Sequence, residues 1–382
     1  MRPAIGTLLP EDELLCHQTA ETFATISQSD LGWTEKIWCS MARKDGTLQA
    51  DFGLGRYQNR NIMDAFAGVI GGRQQRTVRA SRELGDTPTT PSVGPIHYEV
   101  LEPLKKLRFR LDANDAQPIS YDLVFEADMP CFFEDRQHIR DPQAMREISS
   151  VIRYHQSGSV RGWIMVDGTR HEVNPDEWYA FRDHSWGVRP SVGAKPADIQ
   201  PAPDMADHYL LQWSPITLTK PNGEKYCFQY FLIKRDGQAS YFSGYLNHQD
   251  GRQERVGRLR PELRYDDRTR QPIGGVLHFD MLEGGTRSVE IETVDAGAGF
   301  HLGTGLYSSL NGFWHGSWRG KLHVEGDHHQ DVQDDATMRL VHQLRDGIIR
   351  AREGDAQGHG IFESIATGAW PEYGLTKENS FY

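Results

Sequence analysis

The segment Trp178–Pro190 combines aromatic rings, two arginines and an adjacent Asp-His pair. A buried strand uses aromatic residues, but it seldom needs Arg, Asp and His beside one another. Because successive side chains of a strand point to opposite faces, Asp183 and His184 cannot form a local dyad. Arg182 shares a face with His184, whereas Asp183 points to the other side.

Two interpretations of Asp183 follow from these residue types. In the first, Asp183 or His184 is a general acid or base in an aromatic cavity, where burial raises the pKa of a carboxyl group. In the second, Asp183 and Arg189 form a structural ion pair that holds the chain after the strand, with Trp186 in the core. The sequence leaves both interpretations open.

Two further stretches combine rings with polar side chains. In the first, Arg56 and Tyr57 lie in a run from 53 to 66 that is either a hydrogen-bonding rim or a solvated hairpin tip. In the second, Trp314 and Trp318 are four residues apart. The strand predicted across them places both rings on one side, where they wall a pocket or fill a core. Further rings of the C-terminal half that suit a hydrophobic or aromatic ligand are Trp213, Tyr230 and Tyr245.

The motifs of common cofactor and metal sites are absent from the sequence. It has no G-x-S-x-G elbow, no phosphate-binding loop and no H-E-x-x-H pair. The Gly-rich run 297–305 lacks the strand–turn–helix setting of a dinucleotide site. His323, Asp327, His328 and His329 are metal-ligand types, but their acidic and glycine neighbours predict a solvated loop rather than a zinc site. We therefore expect neither a metal nor a cofactor.

Short strands separated by turn residues account for most of the chain. Asp45-Gly46, Asp167-Gly168, Asn222-Gly223 and Asp236-Gly237 each join two strand-like runs, which is the pattern of a β-hairpin. Alternation of strands with long amphipathic helices is missing, which argues against a parallel α/β domain. We predict an all-β protein of antiparallel barrels or sandwiches with few short helices.

Helices and domain limits follow from the remaining composition. A helical pattern is confined to a lead-in within 1–30 and one or two turns within 141–148. A stretch rich in Pro, Ala and Asp at 191–207 predicts a linker. It separates an N-terminal β domain, 1–190, from a C-terminal β domain, 208–382.

Bulk composition bounds the partners and the location. The 382-residue chain has a net charge of −11 and no basic run, which argues against nucleic acid because phosphate binding needs a basic surface. No apolar stretch reaches the roughly 18 residues of a membrane span. The N-terminus lacks a signal-peptide pattern, and the four cysteines are scattered. We predict a cytoplasmic protein, and a homodimer stays open.

The motif Asp183-His184-Ser185-Trp186-Gly187 lies between a first and a second β domain and resembles the double-lipocalin-like superfamily. That superfamily includes carotenoid 1,2-hydratases (hydroxyneurosporene synthases), AttH-like proteins and fungal Diels–Alderases. Gly55-Arg56-Tyr57, followed by Asn61 and Asp64-Ala65-Phe66, resembles an uncharacterised bacterial branch of the same group. The similarity covers most of the chain in layout, although the sharp motif is short.

The resemblance implies two consecutive lipocalin-like β-barrels or sandwiches with a ligand cavity in or between them. It also implies cofactor-free hydration, cyclisation, isomerisation or elimination on a hydrophobic substrate. Such chemistry needs a proton donor in a dry pocket and aromatic faces that stabilise positive charge. The implied donor is Asp183, with His184 or Tyr179 as a relay. The implied substrate-binding residues are Trp178, Trp186, Arg182, Arg56, Tyr57, Trp213, Tyr230 and Trp318.

The resulting hypothesis is a cofactor-independent hydratase/lyase, isomerase or cyclase that uses acid/base chemistry on a terpenoid, steroid or aromatic molecule. The alternative is a non-catalytic carrier of a similar ligand, because lipocalin-like barrels bind more often than they catalyse. An enzyme needs an acid or base with a strongly shifted pKa inside the cavity, whereas a carrier needs only positioning hydrogen bonds.

Overall fold

Strands dominate the structure, which confirms the prediction of an antiparallel all-β fold with few short helices. No helix in the described part of the chain is long and apolar enough to cross a membrane. The computed structural model describes residues 13, 26, 28–85, 90–141, 146–194, 196, 198–200, 208–294, 299–341 and 344–378.

The elements are short and connected mostly by tight turns. In chain order the strands are β1 (Trp33–Arg43), β2 (Gln49–Tyr57), β3 (Ile62–Gly71), β4 (Gln74–Glu83), β5 (Ser92–Val93), β6 (Ile96–Glu102), β7 (Lys106–Leu111), β8 (Ile119–Ala127), β9 (Phe132–Phe133), β10 (Gln137–Arg140), β11 (Glu147–Val166), β12 (Thr169–Val173), β13 (Trp178–Val188), β14 (Tyr209–Thr219), β15 (Lys225–Arg235), β16 (Gln238–His248), β17 (Gln253–Tyr265), β18 (Pro272–Met281), β19 (Thr286–Thr293), β20 (Phe300–His301), β21 (Leu322–His329), β22 (Arg345–Glu353) and β23 (Ala356–Thr367). The helical elements are α1 (Asp335–Val341) and the 3-10 turns Gln58–Arg60, Leu302–Gly305 and Pro371–Tyr373.

The strands form two antiparallel sheets. In the first, the neighbours are β21, β4, β3, β2, β1, β13, β11, β8, β7, β6 and β5 in that order, and β9, β10 and β12 also pair with β11. Its last strands, β5 and β6, return to β3 and β4, so the sheet is a nearly closed barrel. In the second, the order is β19, β18, β17, β16, β15, β14, β23, β22 and β20, and β22 also pairs with β19 to close the barrel.

Two of the predicted hairpins show why the turn residues are needed. Asp167 and Gly168, between β11 and β12, have φ values of 49° and 80°. Asp236 and Gly237, between β15 and β16, have φ values of 49° and 75°. Two successive positive φ values are the signature of a type I′ turn, whose twist matches that of the flanking strands. Asp tolerates this region and Gly has no Cβ to oppose it.

Apolar side chains of the described residues form three large buried clusters and a small one of Tyr57, Ile62 and Val192. One fills the first barrel and includes Phe52 and Phe109, and one fills the second barrel and includes Phe228 and Phe279. Burial of each such ring contributes roughly 1.5–3 kcal/mol. The third cluster lies between the barrels and combines rings from both, among them Trp38, Phe66, Phe181, Trp213 and Phe231.

Strand β13 takes part in two of these clusters. Trp178 packs in the core of the first barrel, whereas Tyr179 and Phe181 pack in the third cluster. Alternate side chains of a strand point to opposite faces. Asp183 and His184 accordingly lie on opposite sides of the sheet, Asp183 between the barrels and His184 inside the first barrel.

Trp314 and Trp318 do not lie in a strand, contrary to the prediction. Gly316 and Gly320 have φ values of 71° and 96°, which interrupt an extended chain, and β21 begins only at Leu322. The two tryptophans therefore share no strand face, and Trp318 is 54% exposed.

The histidine-rich segment predicted as a solvated loop is the edge strand β21. It pairs with β4 along its whole length. Arg79 of β4 forms ion pairs with Glu325, at 2.9 Å, and with Asp327. Cross-strand ion pairs of this kind stabilise a strand that has few apolar residues. The sequence predicted a solvated loop because the residues that form these pairs are polar. Among the described residues, no group of three or more His, Cys, Asp or Glu is arranged to hold a metal ion.

Some predictions fall on residues outside the described ranges. The lead-in helix within 1–30 lies almost wholly outside them. Of the helix within 141–148, residues 142–145 lie outside, and the last two residues begin β11. Residues 201–207 of the linker also lie outside, so the domain limits stay a prediction. One strand of the C-terminal half, β21, belongs to the first sheet.

The close packing between the barrels leads to a prediction at Gly53. A Cβ atom there would lie 2.1 Å from Cε1 of Phe66, whose ring is stacked on Phe300. We expect Gly53→Ala to lower the free energy of unfolding by about 1–3 kcal/mol, because an overpacked core must shift. Urea denaturation measures this change in the free energy of unfolding. The control is Gly71→Ala, where the nearest atom would be Cδ1 of Leu48 at 3.6 Å. Equal stability of the two variants would contradict the packing described.

Candidate active site between the two barrels

A small cavity lies where the outer faces of the two barrels meet. Its volume is about 70 Å³, enough for a few water molecules or one reacting group. Strands β1, β11 and β13 of the first barrel and β14, β15 and β23 of the second contribute side chains to it. The charged lining residues are Lys36, Arg153, Asp183, Arg189 and Glu363.

Strand register brings these groups together from distant parts of the sequence. Trp38 of β1 lies directly across from Asp183 of β13, and Lys36 occupies the next position on the same face of β1. In the second barrel, Trp213 of β14 lies directly across from Glu363 of β23. The two pairs face each other because the outer surfaces of the barrels are in contact.

Lys36 is a cation in a nearly inaccessible position. Only 5% of its surface is exposed, and Nζ lies 3.7 Å from the centre of the Tyr307 ring. Burial, together with the charge of Arg189, lowers the pKa of Lys36 to about 7, although the charges of Asp64 and Asp183 oppose part of the change. Near neutral pH, Lys36 is therefore present in both its protonated and its neutral form.

Three carboxyl groups, which we call the carboxyl row, cross the interface beside the cavity. Asp51 belongs to β2, Asp346 to β22 and Glu363 to β23, and the side chain of Asp346 is hydrogen-bonded to both of the others. Trp38 Nε1 also donates to Oδ2 of Asp346 at 3.1 Å. A hydrogen bond between two carboxyl groups needs a proton, so the row retains protons in the folded state.

Burial raises the pKa of every member of the carboxyl row. The pKa of Asp51 rises to about 6 and that of Glu363 to about 8, although hydrogen bonds to their neighbours oppose part of the rise. The pKa of Asp346 rises well above its ordinary value because the charges of Asp51 and Glu363 add to the effect of burial. Glu363 lines the cavity and carries a proton at neutral pH.

Arg153 connects Asp183 to the second barrel. Its Nε lies 2.9 Å from Oδ2 of Asp183, and its Nη1 donates to Oε2 of Glu134 at 3.0 Å. The other oxygen of Glu134 accepts hydrogen bonds from Trp213 Nε1 at 2.8 Å and from Gln229 Nε2 at 2.9 Å. These contacts hold one wall of the cavity in place.

Aromatic rings form the apolar part of the lining. Trp38 and Trp213 meet edge to face, with ring centres 5.3 Å apart. The guanidinium of Arg153 lies 5.3 Å from the centre of the Phe231 ring. Because such walls exclude water, the charged groups interact more strongly than they would in solution.

Of the site residues predicted from the sequence, Asp183 and Trp213 line this cavity. The ion-pair partner of Asp183 is Arg153. Arg189, the partner considered from the sequence, donates instead to the hydroxyl of Ser185 at 2.6 Å.

Arg182 and His184 lie on the other face of β13, inside the first barrel, and both are fully buried. Nε2 of His184 lies 2.8 Å from Oε1 of Glu35, and Nδ1 lies 2.9 Å from the hydroxyl of Tyr154. Arg182 donates twice to Oε1 of Gln156, at 3.0 and 2.7 Å. The sheet itself separates this polar network from the cavity.

Three other predicted residues belong to strands of the first barrel. Arg56 is buried. The ring of Trp186 lies 5.7 Å from that of His184. Tyr57, which points toward the interface, has its hydroxyl 2.9 Å from Nδ1 of His315.

The remaining predicted residues are dispersed. Tyr179 and Trp178 line a larger cleft at the other end of β13. Tyr230 belongs to the core of the second barrel, and Trp318 is on the surface.

Sequence reasoning missed Lys36, Asp346 and Glu363. Each is a charged residue within a run of strand-forming residues, which is a weak signal because an exposed strand face has the same pattern. The aromatic density of the β13 segment directed attention to its neighbours instead. Only the register of the strands reveals that these groups share one space.

This arrangement can serve acid–base chemistry. A protonated carboxyl group and a partly neutral amine line one largely buried cavity. The first can donate a proton and the second can accept one, which is the requirement of general acid–base catalysis.

Comparison with known proteins identifies one family. The model described as "Family of unknown function (DUF8625)" matches residues 8–376. No curated protein matches the chain in sequence.

Several solved structures are similar in fold. An AttH protein from Nitrosomonas europaea is 12% identical with a TM-score of 0.48, and the match covers 91% of this chain and 99% of that one. Kievitone hydratase from Nectria haematococca is 11% identical with a TM-score of 0.43, covering 95% and 94%. CghA, solved with Sch210972, is 11% identical with a TM-score of 0.47, covering 88% and 89%.

The carboxyl row makes stability depend on pH in a defined direction. Its members have raised pKa values, so the folded protein binds more protons than the unfolded chain above about pH 4. The stability that the row contributes is complete below that pH and is lost as the pH rises toward about 8, the pKa of Glu363. We expect Asp346→Asn to reduce this pH dependence. Between pH 5 and pH 8, the free energy of unfolding should therefore fall less in the variant than in the wild type.

Denaturation at several pH values measures this difference. Buried histidines also titrate, but they do so in both proteins, so their contribution cancels in the comparison. The matched control is Asp280→Asn, because the pKa of Asp280 is lowered to about 2 by its hydrogen bonds to Arg260 and Thr286 and lies below the window. If the free energy of unfolding changed with pH in parallel for Asp346→Asn and the wild type, the carboxyl row would not bind extra protons in the folded state.

Proposed function

The chain belongs to this family of unknown function, and we propose that it is an enzyme that transfers protons to or from a hydrophobic small molecule. One observation carries the proposal. Lys36 and Glu363, with pKa values displaced to about 7 and about 8, line the same cavity. Groups whose pKa values are displaced toward neutrality are concentrated at functional sites.

In the proposed mechanism, Glu363 is the acid and Lys36 is the base. For hydration, Glu363 protonates one carbon of an alkene, water attacks the other carbon, and neutral Lys36 takes the proton that the water releases. Elimination is the reverse sequence. For isomerisation, Lys36 removes a proton from one carbon while Glu363 adds one to another. None of these steps changes the oxidation state of the substrate overall, and none requires a cofactor.

The resting state returns when protons are exchanged with solvent. After one turnover, Lys36 is an ammonium ion and Glu363 is a carboxylate. This charged pair is disfavoured by the burial that shifts both pKa values, so Lys36 loses its proton and Glu363 regains one. The neighbouring Asp183, paired with Arg153 at 2.9 Å, supplies a fixed negative charge that helps to orient a polar group or water.

The aromatic lining suits a reaction that passes through positive charge. Nζ of Lys36 already lies over the Tyr307 ring at 3.7 Å, so this ring faces a cation. Trp38 and Trp213 offer further π-systems beside it. Cation–π attraction contributes roughly 0.5–2 kcal/mol for each well-placed ring, and it would favour a carbocation over the neutral alkene.

The size of the cavity limits what enters it. About 70 Å³ is well below the roughly 300–1,000 Å³ of a site that encloses a whole drug-sized ligand. We therefore propose that only the reacting end of the substrate reaches Lys36 and Glu363.

A non-catalytic carrier is the second candidate function. The observation in its favour is the larger cleft between the barrels, of about 710 Å³, which has the volume of a whole small-molecule site. A carrier would bind its ligand without any proton transfer to or from carbon.

The amine of Lys36 can be tested directly. We expect it to titrate near pH 7, because burial disfavours its charged form. NMR of protein labelled with ¹³C at lysine Cε measures the titration, and loss of the signal in Lys36→Arg assigns it. Lys105, whose pKa is raised by its hydrogen bond to Glu102, provides the internal reference. A Lys36 signal that titrates with the ordinary lysines would contradict the proposed base.

Deuterium transfer distinguishes an enzyme from a carrier. We expect the protein, incubated in D₂O with a metabolite extract, to introduce carbon-bound deuterium into a ligand that co-purifies with it. Mass spectrometry detects the heavier species. Glu363→Gln and Lys36→Met should each slow the incorporation by about 100-fold or more, the typical contribution of a general acid or base.

The remaining variants make this test specific. Asp183→Asn should slow incorporation while ligand affinity stays within about tenfold, because Asp183 is proposed to orient rather than to enclose the substrate. Glu262→Gln, a change at a side chain that is 70% exposed, is the control and should leave the rate unchanged. A ligand that binds and is recovered without deuterium would establish the carrier.

A further inference from the structure

A cleft of about 710 Å³ lies between the barrels at the end of β13 opposite to the cavity. Tyr179 and Phe181 of β13 line it from the first barrel. Arg350 of β22 and His359 of β23 line it from the second barrel. The reaction proposed above does not use this space.

One apolar layer separates the cleft from the cavity and the carboxyl row. Neighbours on the same face of a strand are about 7 Å apart along its axis. On β22 and β23, the residue between a cleft side chain and a cavity or carboxyl-row side chain is apolar, and on β13 the last cleft side chain before Asp183 is itself apolar. These three residues are Phe181, Ile348 and Ile361, all members of the third cluster. The cleft is therefore a separate space rather than an extension of the cavity.

Cations outnumber carboxylates in the lining of the cleft, although the whole chain carries a net charge of −11. The four cations are Lys44, Lys225, Arg350 and Arg352, and the three carboxylates are Asp128, Glu290 and Glu292.

Two of the three carboxylates are already neutralised. Nζ of Lys225 lies 2.7 Å from Asp128, and Nη2 of Arg352 lies 2.6 Å from Glu290. Lys44, Arg350 and the third carboxylate, Glu292, form no ion pair among the described residues.

The two remaining cations are well placed for a ligand. Lys44 Nζ donates to the backbone oxygen of Asp176 at 2.6 Å, which does not neutralise its charge. Arg350 lies across from Glu292 in the sheet, and within the described part of the chain its guanidinium makes no hydrogen bond or ion pair. Both cations are therefore available to an anion.

Two titratable groups respond to the positive potential in the cleft. Burial, together with the charges of Lys44 and Arg350, lowers the pKa of His359 to about 4. Burial also lowers the pKa of Lys44, with Lys225 adding to the effect. A positive potential disfavours additional protons and favours an anion.

Rings and a hydroxyl group complete the lining. The rings of Tyr179 and His359 are stacked, with centres 5.1 Å apart and planes 27° apart. Ser157, directly across from Phe181, lines the cleft and is 3% exposed. Within the described residues, its hydroxyl has no hydrogen-bond partner. A buried polar group without a partner is costly, and a ligand oxygen would relieve that cost.

We infer that this cleft is a binding site for a planar aromatic organic anion, such as an aryl carboxylate or sulfonate. The ring of the ligand packs against the stacked pair of Tyr179 and His359. Its anionic group lies between Lys44 and Arg350, and an oxygen accepts a hydrogen bond from Ser157. The inference stands independently of the proposed proton transfer, because the apolar layer separates the two spaces.

Two fluorescent probes with one ring system test the inference. 8-Anilinonaphthalene-1-sulfonate carries a sulfonate, and N-phenyl-1-naphthylamine is its neutral counterpart. Fluorescence titration of the full-length protein measures both dissociation constants. We expect the sulfonate to bind at least about tenfold more tightly than the neutral probe. Only the anion can accept charge-assisted hydrogen bonds from Lys44 and Arg350.

Charge variants locate the site. Lys44→Gln and Arg350→Gln should each weaken binding of the sulfonate by about fivefold and leave the neutral probe unchanged, since only the anion uses these partly exposed cations. His359→Ala should weaken both probes, because it removes a ring surface. Arg260→Gln is the matched control, because the side chain of Arg260 is 41% exposed, pairs with Asp280 and is not among the residues that line the cleft.

The outcomes are distinguishable. Equal affinity of the two probes, or affinity for the sulfonate that neither charge variant changes, would overturn the inference. Glu363→Gln should leave sulfonate binding unchanged, so a failure of the proposed reaction does not affect this result. Surface substitutions at Lys44 and Arg350 leave the buried clusters intact, and circular dichroism verifies that each variant is folded.

Discussion

Polar groups buried between the barrels must find partners on the opposite barrel, and the interface depends on this requirement. Asp346 of the second barrel is hydrogen-bonded to Asp51 and accepts from Trp38 of the first. Glu134, from the first-barrel part of the chain, accepts hydrogen bonds from Trp213 and Gln229 of the second barrel. An unpaired buried polar group costs about 1–3 kcal/mol. The relative position of the barrels is therefore specified by hydrogen bonds as well as by the rings of the third cluster.

The same constraint explains why the candidate site lies between the barrels. Both barrel interiors are filled by side chains, including Phe52 and Phe109 in the first and Phe228 and Phe279 in the second. The outer faces are where polar residues are allowed, since a barrel on its own exposes them to water. When the second barrel covers Lys36, the same residue loses its hydration and its pKa falls. The chemistry of the site is thus a consequence of barrel association.

Some features of the fold and site could be predicted because they depend on local rules. The hairpins at Asp167-Gly168 and Asp236-Gly237 follow from the φ preferences of their residues. Strand alternation separates Asp183 from His184, and the structure places them on opposite sides of the sheet. Density of rings and charges was a poorer guide. It does not distinguish a barrel core, where His184 is bonded to Glu35, from an interface, because both demand partners for buried polar groups.

The sequence by itself determined the strand class, the tight turns and the two faces of each strand, since these depend on neighbouring residues. Only the tertiary structure decided which outer strand faces are also buried, by contact with the other barrel. Lys36, Asp183 and Glu363 come from three strands, and their meeting depends on register and on the docking of one barrel against the other. The segment around Asp183 is therefore one wall of a candidate site whose proposed acid and base lie far away in the chain. Their unusual pKa values arise from burial by distant residues, which no local pattern encodes.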